Sequence, residues 1–246
     1  MPTSPASPGS RNPERTASFW RRRVSGTDVV VAFGVYFLLT LSGVAALEGL
    51  GHPLLSVTGV LLSLGLSVFA AYSGVGLALA LGETAFKPAS LELVRPSRGW
   101  LLIGAGTGLL AFVSFWVLAL YVSSAGSLPP PQRGLLDAAG QGTAPQFALL
   151  VVLGGLLAPF GEELLFRGML YTFLRRWGPV LALAVSSLIF GLLHGADLVF
   201  LIHAALMGTL LALLYERSGS LWPGVMAHGL HNSLLFGLVR LLNWPA

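Results

Sequence analysis

Apolar residues in this chain come in long runs, at 29–47, 54–81, 100–122, 146–173, 179–195, 198–214 and 222–240, divided by charged residues and by Pro or Gly breaks. A bilayer core about 30 Å thick needs roughly 20 mainly apolar residues per helix. The pattern therefore predicts an all-α, polytopic membrane bundle of about seven spans. The fifth and sixth runs are short, which points to tilting or to a hairpin packed inside protein surroundings. Residues 1–26 are rich in Pro, Ser and Arg and lack the apolar stretch and small-residue cleavage site of a signal peptide. They are expected to be a disordered cytosolic tail (1–26) ahead of a transmembrane helical domain (27–246). The Pro- and Gly-containing segment 123–145 is expected to be an exposed loop with a short interfacial helix at 132–140 that shields the outer side. Small residues four apart, such as Gly104 and Gly108, suit close helix packing in lipid.

Composition strengthens the membrane assignment, with 54% hydrophobic and 10% charged residues and a mean hydropathy of +0.79. The net charge of +4 comes from Lys and Arg at the ends of apolar runs, a pattern that orients a membrane protein and does not imply nucleic acid as a partner. Arg11, Arg15, Arg21, Arg22, Arg23, Lys87, Arg95, Arg98, Arg175, Arg176 and Arg217 fall on one side of the seven-span topology, against Arg133 and Arg240 on the other. The positive-inside rule then puts the N-terminus in the cytosol. Cysteine is absent, which excludes disulfides, thiolate metal ligands and a Cys nucleophile.

Candidate chemistry begins inside the fourth run, where Glu162, Glu163 and Arg167 interrupt an apolar stretch and would be costly unpaired. On a helix Glu163 and Arg167 share a face, whereas Glu162 points about 100° away. One carboxylate is thereby neutralised while the other stays available, and a desolvated Glu without a permanent counter-ion suits proton transfer. The alternative is an ion pair that only locks helices together, which accounts for Glu163 and Arg167 but leaves Glu162 without a purpose. Phe190 and His194 are four apart, as are His228 and Asn232. At 1.5 Å per residue Glu162 and His194 lie at matching depth from Trp177-Gly178. His228 falls roughly 8 Å shallower unless the first hairpin projects beyond the membrane. His203 and His231 are further polar groups that could reach the same chamber.

Glu162-Glu163-x-x-x-Arg167, Phe190-x-x-x-His194 and His228-x-x-x-Asn232 stand in the order of three motifs of the CAAX prenyl protease and bacteriocin-processing family, often called the Abi or CPBP intramembrane proteases. The chain resembles that family over roughly residues 145–235, and the family's usual eight spans put the expected number at about seven to eight. The resemblance implies an intramembrane endopeptidase in a bacterial cell membrane, its site accessible from the cytosol. In that reading Glu162 and His194 activate a water while His228 and Asn232 stabilise the oxyanion, where one good donor is worth roughly 3 kcal/mol. Glu163, Arg167 and Phe190 support the site. The family's name as metalloproteases implies zinc held by Glu162, His194 and His228, although a metal-free, Glu-activated water serves the same chemistry. No His-Glu-x-x-His is present, so the zincin route is unavailable. The implied partners are a peptide or protein substrate, lipidated or not, and membrane lipids. Two readings from other classes remain: a proton-coupled carrier using Glu162, His194 and His228 as a relay, against which the lack of internal repeats counts, and a non-catalytic membrane scaffold.

Overall fold

The computed structural model describes residues 24–82, 93–125, 130–195 and 197–242. The expected tail lies outside these apart from its last three residues, as does Lys87. Eight helices and no strand occur among the described residues: α1 Gly26–Gly49, α2 Val57–Leu81, α3 Arg98–Ala125, α4 Pro130–Gln141, α5 Ala144–Trp177, α6 Pro179–Leu193, α7 Leu198–Ser218 and α8 Trp222–Leu242. Six of them (α1, α2, α3, α5, α7 and α8) are long and apolar enough to cross a membrane. The expected count of seven to eight is thus slightly high. The difference is α6, whose 15 residues reach only about 22 Å at 1.5 Å per residue, short of a 30 Å core. Val30, Leu102, Val117 and Val180 are exposed, a liability in water and the expected lipid-facing surface of an integral membrane protein.

Local chemistry sets the helix ends. Ser25 and Asp28 form a reciprocal capping box at α1, with Asp28 N–H donating to Ser25 Oγ at 3.1 Å and Ser25 N–H donating to Asp28 Oδ2 at 2.8 Å. Asp197 starts α7 by accepting from the N–H groups of Val199 and Phe200 at 3.1 and 3.2 Å. Gly178, with φ of 109°, makes the reversal from α5 into α6, a conformation side chains disfavour.

The packing is built from three hairpin-like pairs: α1 with α2, α6 with α7, and α3 with α8. In the last pair the two backbones come close together. A methyl group added at Gly104 would lie 2.5 Å from the carbonyl oxygen of Pro223, and one added at Gly108 would run into the carbonyl of Ala227. In lipid, where apolar burial gives little drive, such backbone proximity is a main source of helix association. It also places His228, the residue after Ala227.

Helix α4 differs from the exposed interfacial helix expected at 132–140. Leu136, Ala138 and Ala139 are buried, and the helix packs against α2 and α8. Arg240 ties its end down by donating to the carbonyls of Gly140 and Gly142 at 2.9 and 2.6 Å.

Helix α5 is the axis of the molecule and is irregular. α-Helical turns at Ala158–Glu163 are flanked by wide π-type turns at Val151–Leu157 and Leu164–Tyr171. Pro159 supplies no N–H to the preceding turn, and widened turns free carbonyls for other donors. Tyr72 of α2 donates to Leu157 O at 3.1 Å, Asn232 of α8 to Gly154 O at 2.8 Å, and Thr172 to Arg167 O at 2.8 Å. At its far end Glu216 of α7 accepts from Tyr171 at 2.7 Å and pairs with Arg175 at 2.9 Å.

These contacts predict a position-specific effect along one face of α3. Gly108→Leu forces α3 from α8 and is expected to cost about 1–3 kcal/mol, read as a lowered thermal midpoint in detergent. Gly106→Leu, where a Cβ meets nothing within 4 Å, is expected to leave the midpoint unchanged.

Candidate active site

Glu163 and Arg167 are both fully buried, and Arg167 Nη1 donates to Glu163 Oε1 at 2.7 Å. The other arm of the guanidinium donates to the carbonyl of Gly208 on α7 at 2.7 Å. Its face lies 4.8 Å from the centroid of Phe190. One side chain thereby joins α5, α6 and α7. Glu163 is accommodated because position 224 on α8 is glycine: a methyl group there would stand 2.7 Å from Glu163 Oε2.

Glu162, one residue earlier, points elsewhere. Its Oε2 lies 3.6 Å from His194 Nε2 and 3.8 Å from His228 Nε2, and these three ligand atoms lie within 4.8 Å of one another. The depth mismatch expected for His228 does not arise. Helix α5 has 34 residues, roughly 50 Å at the α-helical rise and so longer than a 30 Å apolar layer, and Glu162 meets His228.

His194 is oriented from below by its own helix. Its Nδ1 lies 2.7 Å from the carbonyl of Phe190; a carbonyl only accepts, so Nδ1 carries the hydrogen and a neutral ring leaves Nε2 unprotonated. That nitrogen and the Glu162 carboxylate are both acceptors. The gap between them, too long for a direct hydrogen bond, suits a group that donates in two directions or a cation, meaning a water molecule or a metal ion. Glu162 Oε2 is buried without a hydrogen-bond partner beside His194 Nε2 and His228 Nε2, so this donor set fits zinc, with the Phe190 carbonyl as the outer support typical of a ligating histidine. Phe190 itself packs edge-on to Phe166 at 4.9 Å and lies 4.2 Å from the His194 ring and 5.7 Å from the His228 ring.

These groups open into a chamber of about 360 Å³ between two apolar clusters. Asn232 also lines it, though its amide nitrogen donates to Gly154 O. His203 and His231, left open by the sequence, line its floor with ring centroids 6.0 Å apart, and His203 Nε2 lies 3.0 Å from Ser114 Oγ. Sequence reasoning missed Tyr36 and Ser67, which reach the same chamber from α1 and α2. Neither is charged nor interrupts its apolar run, so no sequence signal marked them. Pro159 and the Gly154-Gly155 pair were the available signals for the irregular backbone around Glu162.

A family model described as type II CAAX prenyl endopeptidase Rce1-like matches residues 144–234, the stretch that holds α5 to α7 and the first part of α8. The Bacillus subtilis (strain 168) protein named as a membrane peptidase, YdiL, is 32% identical over 88 residues, covering 35% of this chain and 36% of that protein. The match thus spans about a third of that relative's length. No solved structure matches the chain. The matched segment contains Glu162, Glu163, Arg167, Phe190, His194, His228 and Asn232, and it is over this segment that the chain is similar to the CAAX prenyl endopeptidases.

Proposed function

We propose that this protein is an intramembrane endopeptidase that hydrolyses a peptide bond of a peptide or protein substrate by a water activated between Glu162 and His194. The observation that carries the proposal is the division of labour between adjacent carboxylates. Glu163 is bound to Arg167 at 2.7 Å, while Glu162 stands free between two imidazoles in a chamber. A scaffold has no use for the second carboxylate, whose burial is costly.

In the reaction, Glu162 accepts a proton from the water as its oxygen attacks the scissile carbonyl carbon, giving a tetrahedral oxyanion. His194 Nε2, aligned by Phe190, holds the water's second hydrogen. The proton on Glu162 then passes to the amide nitrogen as the C–N bond breaks, releasing a carboxylic acid and an amine. His228 and the second amide hydrogen of Asn232 face the developing oxyanion. Zinc, held by Glu162, His194 and His228, would polarise the carbonyl and lower the pKa of the water. The excess of Lys and Arg on one side supports a cytosolic N-terminus and access from the cytosol. Similarity to the CAAX prenyl endopeptidases supports a prenylated C-terminus as one substrate class.

Purified protein in detergent is expected to cleave members of a fluorogenic library of free and lipidated peptides. Glu162→Gln, with its thermal midpoint unchanged, is expected to lose at least about 10²–10⁴-fold in rate, the usual contribution of a general base. Cleavage by folded Glu162→Gln at the wild-type rate contradicts the mechanism; no cleavage by either protein returns the carrier and scaffold readings.

A further inference from the structure

We propose that Tyr36, held by Ser67, is a catalytic hydroxyl that donates to the oxyanion of the substrate, an inference that rests on the protease reading above. The two donors placed at that charge, His228 and Asn232, are both shared with other groups. Asn232 spends one amide hydrogen on the Gly154 carbonyl at 2.8 Å. That bond is built into the fold, because it satisfies a carbonyl in the widened turn of α5. His228 lies with Nδ1 3.6 Å from Glu163 and Nε2 3.8 Å from Glu162. Both of its nitrogens thus have carboxylates as their nearest charged neighbours, and the amide of Asn232 is half committed. A tetrahedral oxyanion is normally met by two or more preorganised donors.

Tyr36 adds a donor from outside the matched segment. Its side chain lines the chamber with Glu162, His194 and His228. Its hydroxyl lies 3.1 Å from Ser67 Oγ. With Ser67 donating to the phenol oxygen, the Tyr36 hydrogen is released toward the chamber. Tyr36 and Ser67 carry the two hydroxyls among the described residues that line it.

The placement is rigid. One turn before Tyr36, Phe33 packs edge-on to Phe166 of α5 at 5.5 Å, and the Ala32 carbonyl rests against Gly74 of α2 so closely that a Cβ there would collide with it. A preorganised donor needs such a setting, since a side chain that must reorient during the reaction gives up much of its electrostatic benefit. The arrangement also gives α1 and α2 a part in the chemistry.

The test is steady-state kinetics of Tyr36→Phe, Ser67→Ala and the double variant on a peptide that the wild type cleaves, each protein matched for thermal midpoint. Tyr36→Phe is expected to lower kcat on the order of 10²-fold with KM unchanged, the signature of a donor used in the transition state. Ser67→Ala is expected to lower kcat less, and the double variant to fall no further than Tyr36→Phe, because Ser67 acts through the phenol. Wild-type kcat in Tyr36→Phe, or a rise in KM alone, overturns the proposal while leaving the protease reading intact. A wild type that cleaves nothing overturns both. If Tyr36→Phe does not fold, Ser67→Ala decides: an unchanged kcat overturns the proposal and a lowered one at constant KM supports it.

Discussion

A guanidinium without access to water holds the active region together. Arg167 is 1% exposed and Glu163 0% exposed, and an ion of either sign buried alone would cost several kcal/mol. The pair is tolerable because each charge finds the other at 2.7 Å and because Gly208 and Phe190 supply a carbonyl and an aromatic face. Those partners come from α7 and α6, so satisfying the charge requires the short hairpin to dock against α5. Docking in turn carries His194, at the end of α6, to the level of Glu162. The pair contributes geometry to the site by consuming one carboxylate and leaving its neighbour free.

The second constraint is the backbone of α5. A regular helix through lipid satisfies its own carbonyls, and the wide turns on either side of Glu162-Glu163 give that up. Asn232, Tyr72 and Thr172 restore the missing bonds from α8, α2 and α5 itself. A π-type turn inside a helix frequently accompanies a functional site, and here it links the position of α8 to the segment that bears the carboxylates. Asn232 is thereby both a lining residue of the chamber and a brace for the axis of the bundle.

The charged part of the site was legible in the sequence for a simple reason: Glu162, Glu163 and Arg167 sit inside a run where any charge demands an explanation, and spacings of four put Phe190 with His194 and His228 with Asn232. The membrane class was legible from run length. Shortness marked α6 as unusual, but residue counts alone could not say whether it crosses the bilayer, because that depends on where α5 ends relative to the apolar layer. Helix α4 was placed at the surface because its polar, Pro-rich flanks read as exposed, whereas its burial depends on α2, α8 and Arg240. Tyr36, Ser67 and Glu216 were invisible for a related reason. Each is an ordinary residue in its own segment and acquires a partner only when distant helices meet.

The most direct measurement of the central claim compares the stability of Glu162→Gln and Glu163→Gln by denaturation in one detergent. If Glu163 is the partner of a buried cation and Glu162 a reactive group without one, Glu163→Gln loses about 3–5 kcal/mol by stranding Arg167, while Glu162→Gln stays within about 1 kcal/mol of wild type or above it, as expected when a half-buried carboxylate with no Arg or Lys partner is removed. Equal losses in the two variants, or a larger loss in Glu162→Gln, would contradict the division between the carboxylates on which the proposed chemistry depends.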